Sequence, residues 1–157
     1  MRRILPRLAL LALLMPTIAA ADKPTEAAFE GLDLRLRETA VGTTLALPQF
    51  RVYDAAGRLV MDYEGYSSEF PFALEAVLDA PQPLDSPRHL EFELATLEGP
   101  QGEPLPELPE ADLVLVKYSA VWCIPCHAMA RDLDQVLATE RDLKVLVLNV
   151  SADHIEL

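Results

Sequence analysis

The feature that most constrains this chain is a pair of cysteines, Cys123 and Cys126, which are the only two among 157 residues. An apolar run, Leu113 to Val116, precedes the pair, and apolar residues at helical spacing follow it. This pattern predicts a strand, a turn that carries both thiols, and a helix that begins there. A bond between the two would close a loop too small to constrain the unfolded chain. The pair is therefore predicted to be redox-active rather than structural.

The residues around the pair suit thiol–disulfide exchange, in which one thiolate attacks a substrate disulfide and a second thiol releases the mixed disulfide. Cys123, at the helix N-terminus, is predicted to be the exposed nucleophile, and Cys126, one turn in, the buried resolving thiol. Pro125 fits the first helical turn, where its missing N–H costs nothing. Trp122 would be an apolar platform for a substrate peptide. His127 as an imidazolium would stabilise a thiolate.

The N-terminal segment has the pattern of an export signal. Three arginines precede an eight-residue apolar stretch, and small residues follow it. We predict a signal peptide over residues 1–21, of the general secretory type, cleaved after Ala21 or alternatively after Ala20. Eight apolar residues are too few to span a bilayer, which needs about 20, so a retained anchor is the competing interpretation.

The composition excludes some partners. The chain carries 13 Lys and Arg against 25 Asp and Glu, a net charge of −12 at pH 7. Such an acidic protein would repel nucleic acid and anionic lipid, so we expect neither as a partner. No other stretch of the sequence is apolar enough to span a membrane, so we expect no stable membrane insertion after signal cleavage. The length suits one domain.

Three segments follow the predicted signal. Residues 22–79 predict a helix over Pro24–Glu38, then a hairpin around the turn at Gly57, then a helix over Glu69–Leu78. Residues 80–110 form a proline-rich connection with one predicted strand, because Leu90, Phe92 and Leu94 alternate with glutamates. Residues 111–157 predict a strand, the cysteine-bearing helix and a second buried strand, over Leu113–Tyr118, Cys126–Thr139 and Val145–Val150.

Over residues 113–150 the chain resembles the thioredoxin superfamily, especially its exported thiol:disulfide oxidoreductases. The resemblance rests on Trp122-Cys123-Ile124-Pro125-Cys126 after a hydrophobic strand. It implies an α/β thioredoxin-like fold, with a mixed central sheet and flanking helices. It also implies a periplasmic protein whose partners are protein thiols and disulfides and a membrane thiol donor or acceptor. No cofactor beyond the redox-active disulfide, and no metal, is expected.

The family's second half, a cis-proline loop with a hairpin and a final helix, does not follow residue 150. Residues 47–78 resemble it instead, which implies that the two halves stand in exchanged order, as in a circular permutation. The Pro24–Glu38 helix would then be the family's third helix. Pro48 would be cis, would face both cysteines, and would frame the substrate strand together with Trp122. In the alternative, residues 45–78 are an independent module beside a truncated half.

Lys117 departs from the family pattern. Six residues before the first cysteine, thioredoxins often carry a buried acid, and here the position holds a lysine. Near the thiols its charge would lower the cysteine pKa. In the alternative interpretation it is a strand lysine that reaches out to solvent. The Ile-Pro dipeptide resembles the reducing members of the family, whereas Lys117 and His127 would favour oxidation, so the direction stays open with reduction preferred.

Three other interpretations compete with this one. Cys123-x-x-Cys126-His127 is also the attachment motif of c-type haem, with His127 as one axial ligand and Met61 or His154 as the other. A zinc site is a weaker candidate, since His89 or His154 would have to complete it. The third possibility is a non-catalytic thioredoxin-like binding module whose thiols are incidental.

Overall fold

The computed structural model describes residues 29–37 and 46–154, so the predicted signal peptide lies outside the described residues. Within these residues the chain forms six strands and three helices. In order they are β1 (Phe29–Leu36), β2 (Gln49–Asp54), β3 (Leu59–Glu64), α1 (Phe70–Asp79), α2 (Leu90–Leu94), β4 (Leu97–Glu98), β5 (Leu113–Ser119), α3 (Ile124–Leu137) and β6 (Val145–Ser151). Among the helices of the described part, none is both long enough and apolar enough to cross a bilayer.

All six strands join one sheet in the order β3-β2-β5-β6-β1-β4. β6 lies between β5 and β1 and runs parallel to both. β2 runs antiparallel to β5 and to β3, so the hairpin is attached beside the strand that leads to the cysteines. This arrangement confirms the predicted α/β fold with a mixed central sheet.

The hairpin and the helix after it form where the sequence predicts them. Gly57 in the connecting turn has φ 77°, a backbone conformation that glycine adopts without steric cost. The Asp54 carboxylate accepts the backbone N–H groups of Ala56 and Arg58, at 3.0 and 2.9 Å, which holds the turn closed. α1 begins at Phe70, within one residue of the prediction.

Each face of the sheet has its own apolar core, because successive strand residues point to opposite faces. On the first, called the helix face, the sheet packs against α1 and α3. Its main residues are Phe50, Val52, Leu113, Leu115 and Val147 from the sheet, with Phe70, Leu74, Met129 and Leu133 from the helices. The second, called the connection face, is covered by residues 90–111. Its main residues are Leu34, Val114, Val116, Leu146 and Leu148 from the sheet, with Leu94, Leu97, Leu105 and Leu108.

The helix predicted over Pro24–Glu38 is wrong for residues 29–36, which form strand β1. Leu32, Leu34 and Leu36 also fit a period of two, and they turn toward the connection face. β1 pairs with β6 along its length, up to Arg35 opposite Ser151. The apolar spacing of this segment fits either a helix or a strand, and the pairing with β6 selects the strand. The rest of the predicted helix, residues 24–28 and 38, lies outside the described residues.

The strand predicted over Leu90–Leu94 is also wrong, since these residues form the short helix α2. A strand would place Leu90, Phe92 and Leu94 on one face. In the helix, Leu90 and Leu94 are half-buried on the connection face and Phe92 is 64% exposed. The two-residue strand β4 follows and pairs with the end of β1.

Candidate active site

The two cysteines lie at the junction between β5 and α3, Cys123 just before the helix and Cys126 in its first turn. Cys123 is the N-cap residue of α3, and its N–H donates to the carbonyl of Ala120 at 3.1 Å. The N–H of Cys126 donates to the Cys123 carbonyl at 3.0 Å and to its Sγ at 3.3 Å. Pro125 lies in the first turn of α3, as predicted. The sulfur of Cys123 therefore lies in the positive field of a helix N-terminus.

Cys123 and Cys126 are joined in a disulfide with an S–S distance of 2.02 Å. The prediction of an exposed Cys123 beside a buried Cys126 is wrong for this bonded state, because the two are 4% and 3% exposed. Ala120 and the half-buried side chain of Leu47 pack against the pair. Apolar neighbours therefore cover both sulfurs, which the local spacing of the motif could not reveal.

The segment before β2 reaches the same edge of the sheet. The Leu47–Pro48 peptide bond is cis, which confirms that prediction. Gln49 pairs with Tyr118, so the start of β2 lies beside the end of β5 and Leu47 contacts the disulfide cluster. Pro48 is buried, and its carbonyl accepts the N–H of Gly65 at 2.8 Å. That Pro48 itself faces the sulfurs stays a prediction.

Exposed apolar residues flank Cys123 along the chain and are called the apolar rim. Val121, Trp122 and Ile124 are all exposed, with Trp122 at 53%. Exposed large apolar side chains clustered at one place typically mark an interaction site. Trp122 has the exposure that its predicted role as a platform requires.

The loop between β5 and α3 is held by two polar side chains. The N–H of Val121 donates to the carboxylate of Asp153 at 2.6 Å. On the other side of the same residue, His127 Nε2 lies 3.0 Å from the Val121 carbonyl. Sequence reasoning singled out His127 for its charge and missed Asp153. The parallel pairing of Ser119 with Ser151 could have revealed it, because the residue two places after β6 then lies beside the residue two places after β5.

Lys117 lies on the helix face of β5, between Phe50 on β2 and Asn149 on β6. It is half-buried, and burial lowers the pKa of Lys117, while the negative charges of Asp134 and Asp33 oppose this shift. The lysine therefore does not extend fully into solvent. An effect of its charge on the thiols stays a prediction.

A buried polar network, missed by sequence reasoning, lies on the connection face. The Glu93 carboxylate binds Arg51 Nη1 at 2.5 Å and the Tyr53 hydroxyl at 2.6 Å, and it also accepts the Tyr118 hydroxyl. Burial and then Glu93 raise the pKa of both tyrosines above the usual range. Burial alone would lower the pKa of Arg51, but the charge and hydrogen bond of Glu93, together with Tyr118 and Asp62, outweigh burial and raise that pKa. Glu93 thus joins α2 to β2 and β5.

The geometry does not favour the metal and haem alternatives. Within residues 29–37 and 46–154, no group of three or more His, Cys, Asp or Glu side chains is arranged to hold a metal ion. The two sulfurs are bonded to each other, and Nε2 of His127 is engaged by a carbonyl. His89 and His154 each have Nε2 at a backbone carbonyl, of Ala56 and Leu36 respectively.

The comparisons agree with this geometry. The family model Thioredoxin matches residues 106–156, which contain β5, the cysteine pair, α3 and β6. No curated protein and no solved structure matches the chain. The match covers about a third of the chain, and the mixed sheet with a disulfide at a helix N-terminus is consistent with a thioredoxin-like fold.

Proposed function

We propose that this protein is an exported thiol–disulfide oxidoreductase that exchanges disulfides with protein substrates through Cys123 and Cys126. One observation carries the proposal: Cys123 Sγ accepts the backbone N–H of Cys126 at the start of a 14-residue helix. The first turn of α3 contains no acidic residue to oppose a negative charge there. Both features stabilise a thiolate over a thiol, and the thiolate is the reactive form.

The exchange has two steps. The Cys123 thiolate attacks one sulfur of a substrate disulfide, forming a mixed disulfide and releasing the other substrate sulfur as a thiolate. Cys126, deprotonated, then attacks Cys123 Sγ, which forms the bond seen in the structure and releases the second substrate sulfur. Two electrons pass from the protein dithiol to the substrate, and the released sulfurs take up protons from water.

We propose reduction as the direction, with a membrane thiol donor in the periplasm that returns Cys123 and Cys126 to the dithiol. The Ile-Pro dipeptide between the cysteines supports this direction, and the export pattern over residues 1–21 supports this location. Lys117 and His127 would shift the potential the other way. Potentials of such proteins span about 150 mV, or roughly 7 kcal/mol for two electrons, and local electrostatics set them.

The substrate we propose is an extended polypeptide that carries a disulfide. The rim of Val121, Trp122 and Ile124 offers apolar contact beside the sulfurs. The segment at Pro48, on the same edge of the sheet, would pair with the substrate main chain. Trp122 and Pro48 would therefore bind the substrate on two sides of the reacting sulfur.

We also propose that the two halves stand in permuted order. The unit β2-β3-α1 precedes the unit β5-α3-β6 along the chain, yet β2 pairs with β5 and both units build one sheet. Shared pairing supports a permuted single fold over an independent hairpin module. Strand β1, and not the family's third helix, begins the described part of the chain.

A redox titration of the purified protein tests this function. The fluorescence of Trp122, the single tryptophan, would be followed across dithiothreitol and glutathione buffers. We expect a reversible two-electron transition that is lost in Cys123→Ser. A midpoint near −270 mV would indicate a reductant and one near −120 mV an oxidant, on the order of the values that bracket the family. Cys126→Ser should accumulate the mixed disulfide with a substrate peptide.

Two results would contradict the proposal. A haem absorption band with no titratable thiols would identify a cytochrome. Thiols that titrate but never exchange with a peptide disulfide would identify a non-catalytic binding module.

A further inference from the structure

Both backbone polar groups of Val121 are bound by side chains from other elements. Its N–H donates to Asp153, which follows β6, and its carbonyl accepts from His127 in the first turn of α3. A carbonyl only accepts, so Nε2 of His127 carries the proton in this contact. The side chain of Val121 is 74% exposed, so apolar burial does not hold this residue in place.

The Asp153 carboxylate is itself oriented. The Ser151 hydroxyl donates to its Oδ2 at 2.8 Å, which leaves Oδ1 for Val121. The N–H of Ala152 donates to the Ser119 carbonyl at 2.9 Å and continues the β5–β6 pairing to this point. Asp153 therefore lies at a fixed position, with one oxygen on the loop and one on Ser151.

We propose that Asp153 is a positioning residue for the exchange reaction, which holds the loop that carries the apolar rim and leads into Cys123. This inference rests on the proposed function. Val121 and Trp122 lie in the loop next to Cys123 and are 74% and 53% exposed, so burial holds them only in part and hydrogen bonds to the loop backbone add to their placement. A substrate peptide that binds the rim would lose its alignment with Cys123 Sγ when the loop moves.

The chain offers a matched control at the other end of the same strand pair. Asp112 is also exposed, and its carboxylate accepts the backbone N–H of Lys144 at 2.8 Å, just before β5 and β6 begin. Asp112→Ala and Asp153→Ala therefore remove the same kind of bond, one far from the cysteines and one beside them. Asp153→Asn keeps an acceptor oxygen without the charge.

The experiment measures the rate at which each reduced protein reacts with a disulfide-containing peptide, together with the time-resolved fluorescence anisotropy of Trp122. Asp153→Ala should react about tenfold more slowly, a partial loss of alignment, since a misplacement of about 1 Å can cost about 100-fold. The fast component of the Trp122 anisotropy decay should have a larger amplitude in this variant, because the loop moves more freely. Asp153→Asn should recover most of the rate, and Asp112→Ala should match the wild type in both measurements.

Equal rates and equal anisotropy for Asp153→Ala and Asp112→Ala would overturn the inference and leave the proposed function standing. A wild-type protein whose thiols neither titrate nor react with the peptide would instead refute the proposed function, and the inference with it. Unfolding of each variant in urea supplies the stability control, since a purely structural role predicts similar losses for the two alanine variants and no difference in rate.

Discussion

Lys117 departs from the sequence pattern that the segment around the cysteines otherwise shares with thioredoxins. Thioredoxins often carry an acid at this position, and here a half-buried lysine lies on the helix face of β5. Burial in low dielectric disfavours the charged form of any ionisable group. The lysine is therefore a cost to the folded state at neutral pH, and this cost is measurable.

We predict that Lys117→Met stabilises the protein at pH 7 by on the order of 1 kcal/mol. Burial lowers the pKa of Lys117 from 10.5 in the folded state, so the folded protein loses this proton first as pH rises. Between the folded and unfolded pKa values the unfolded chain binds more protons, and wild-type stability rises with pH. The advantage of Lys117→Met should therefore shrink toward high pH, as measured by urea unfolding at neutral pH and near 10.5.

Lys144→Met is the control, because the Lys144 side chain is exposed and the same change of residue type should have little effect. A Lys117→Met gain that stays constant with pH, or a loss of stability at pH 7, would contradict the argument.

At the scale of elements, α2 shows how tertiary contacts create a helix. It has five residues, far below the length at which an isolated helix is stable in water. Leu90 and Leu94 pack on the connection face, and Glu93 between them reaches Arg51 and two tyrosines. The helix exists because this one turn satisfies all these contacts together.

We predict that Glu93→Ala lowers the free energy of unfolding by about 3 kcal/mol, because it removes the closer of the two carboxylates that pair with the buried Arg51, the other being Asp62 at 3.2 Å. Glu91→Ala, on the same helix, should change it by less than about 0.5 kcal/mol because the Glu91 side chain is exposed. Urea unfolding measures both. The pair Arg51→Met with Glu93→Leu should recover much of the loss, since an apolar pair of similar volume removes the unpaired charge. Equal stabilities for Glu93→Ala and Glu91→Ala would show that the network contributes little.

On the scale of the whole molecule, the parts of the chain before and after the proline-rich connection share one sheet. The hairpin strand β2 lies against β5, and helices α1 and α3 pack on the same face. Phe70 and Leu74 of α1 belong to the same buried core as Met129 and Leu133 of α3. The parts before and after the proline-rich connection should therefore unfold as one cooperative unit.

We predict that Leu74→Ala destabilises the protein by about 2–5 kcal/mol and shifts the unfolding of both parts equally. Trp122 fluorescence reports the part after the connection, and far-UV circular dichroism reports the whole chain. The two urea transitions should coincide in the wild type and in the variant. Phe72→Ala, on the same helix but 72% exposed, should have a small effect. If Leu74→Ala left the midpoint of the Trp122 urea transition unchanged, the two parts would be independent folding units.

The sequence by itself determined the parts that depend on neighbouring residues. The strand before Cys123, the helix after it, the hairpin around Gly57 and helix α1 all follow from local periodicity and turn chemistry. The cysteine spacing likewise predicted the pair that forms the disulfide.

Only the tertiary structure decided the features that depend on distant partners. Residues 29–36 form a strand because β6 pairs with them. Helix α2 forms because Glu93 binds Arg51 while Leu90 and Leu94 pack on the connection face. Asp153 reaches Val121 because two strands far apart in sequence run parallel and end together. Apolar spacing along a short segment fits more than one period, and the free energy of pairing and burial, which the local sequence does not contain, selects between them.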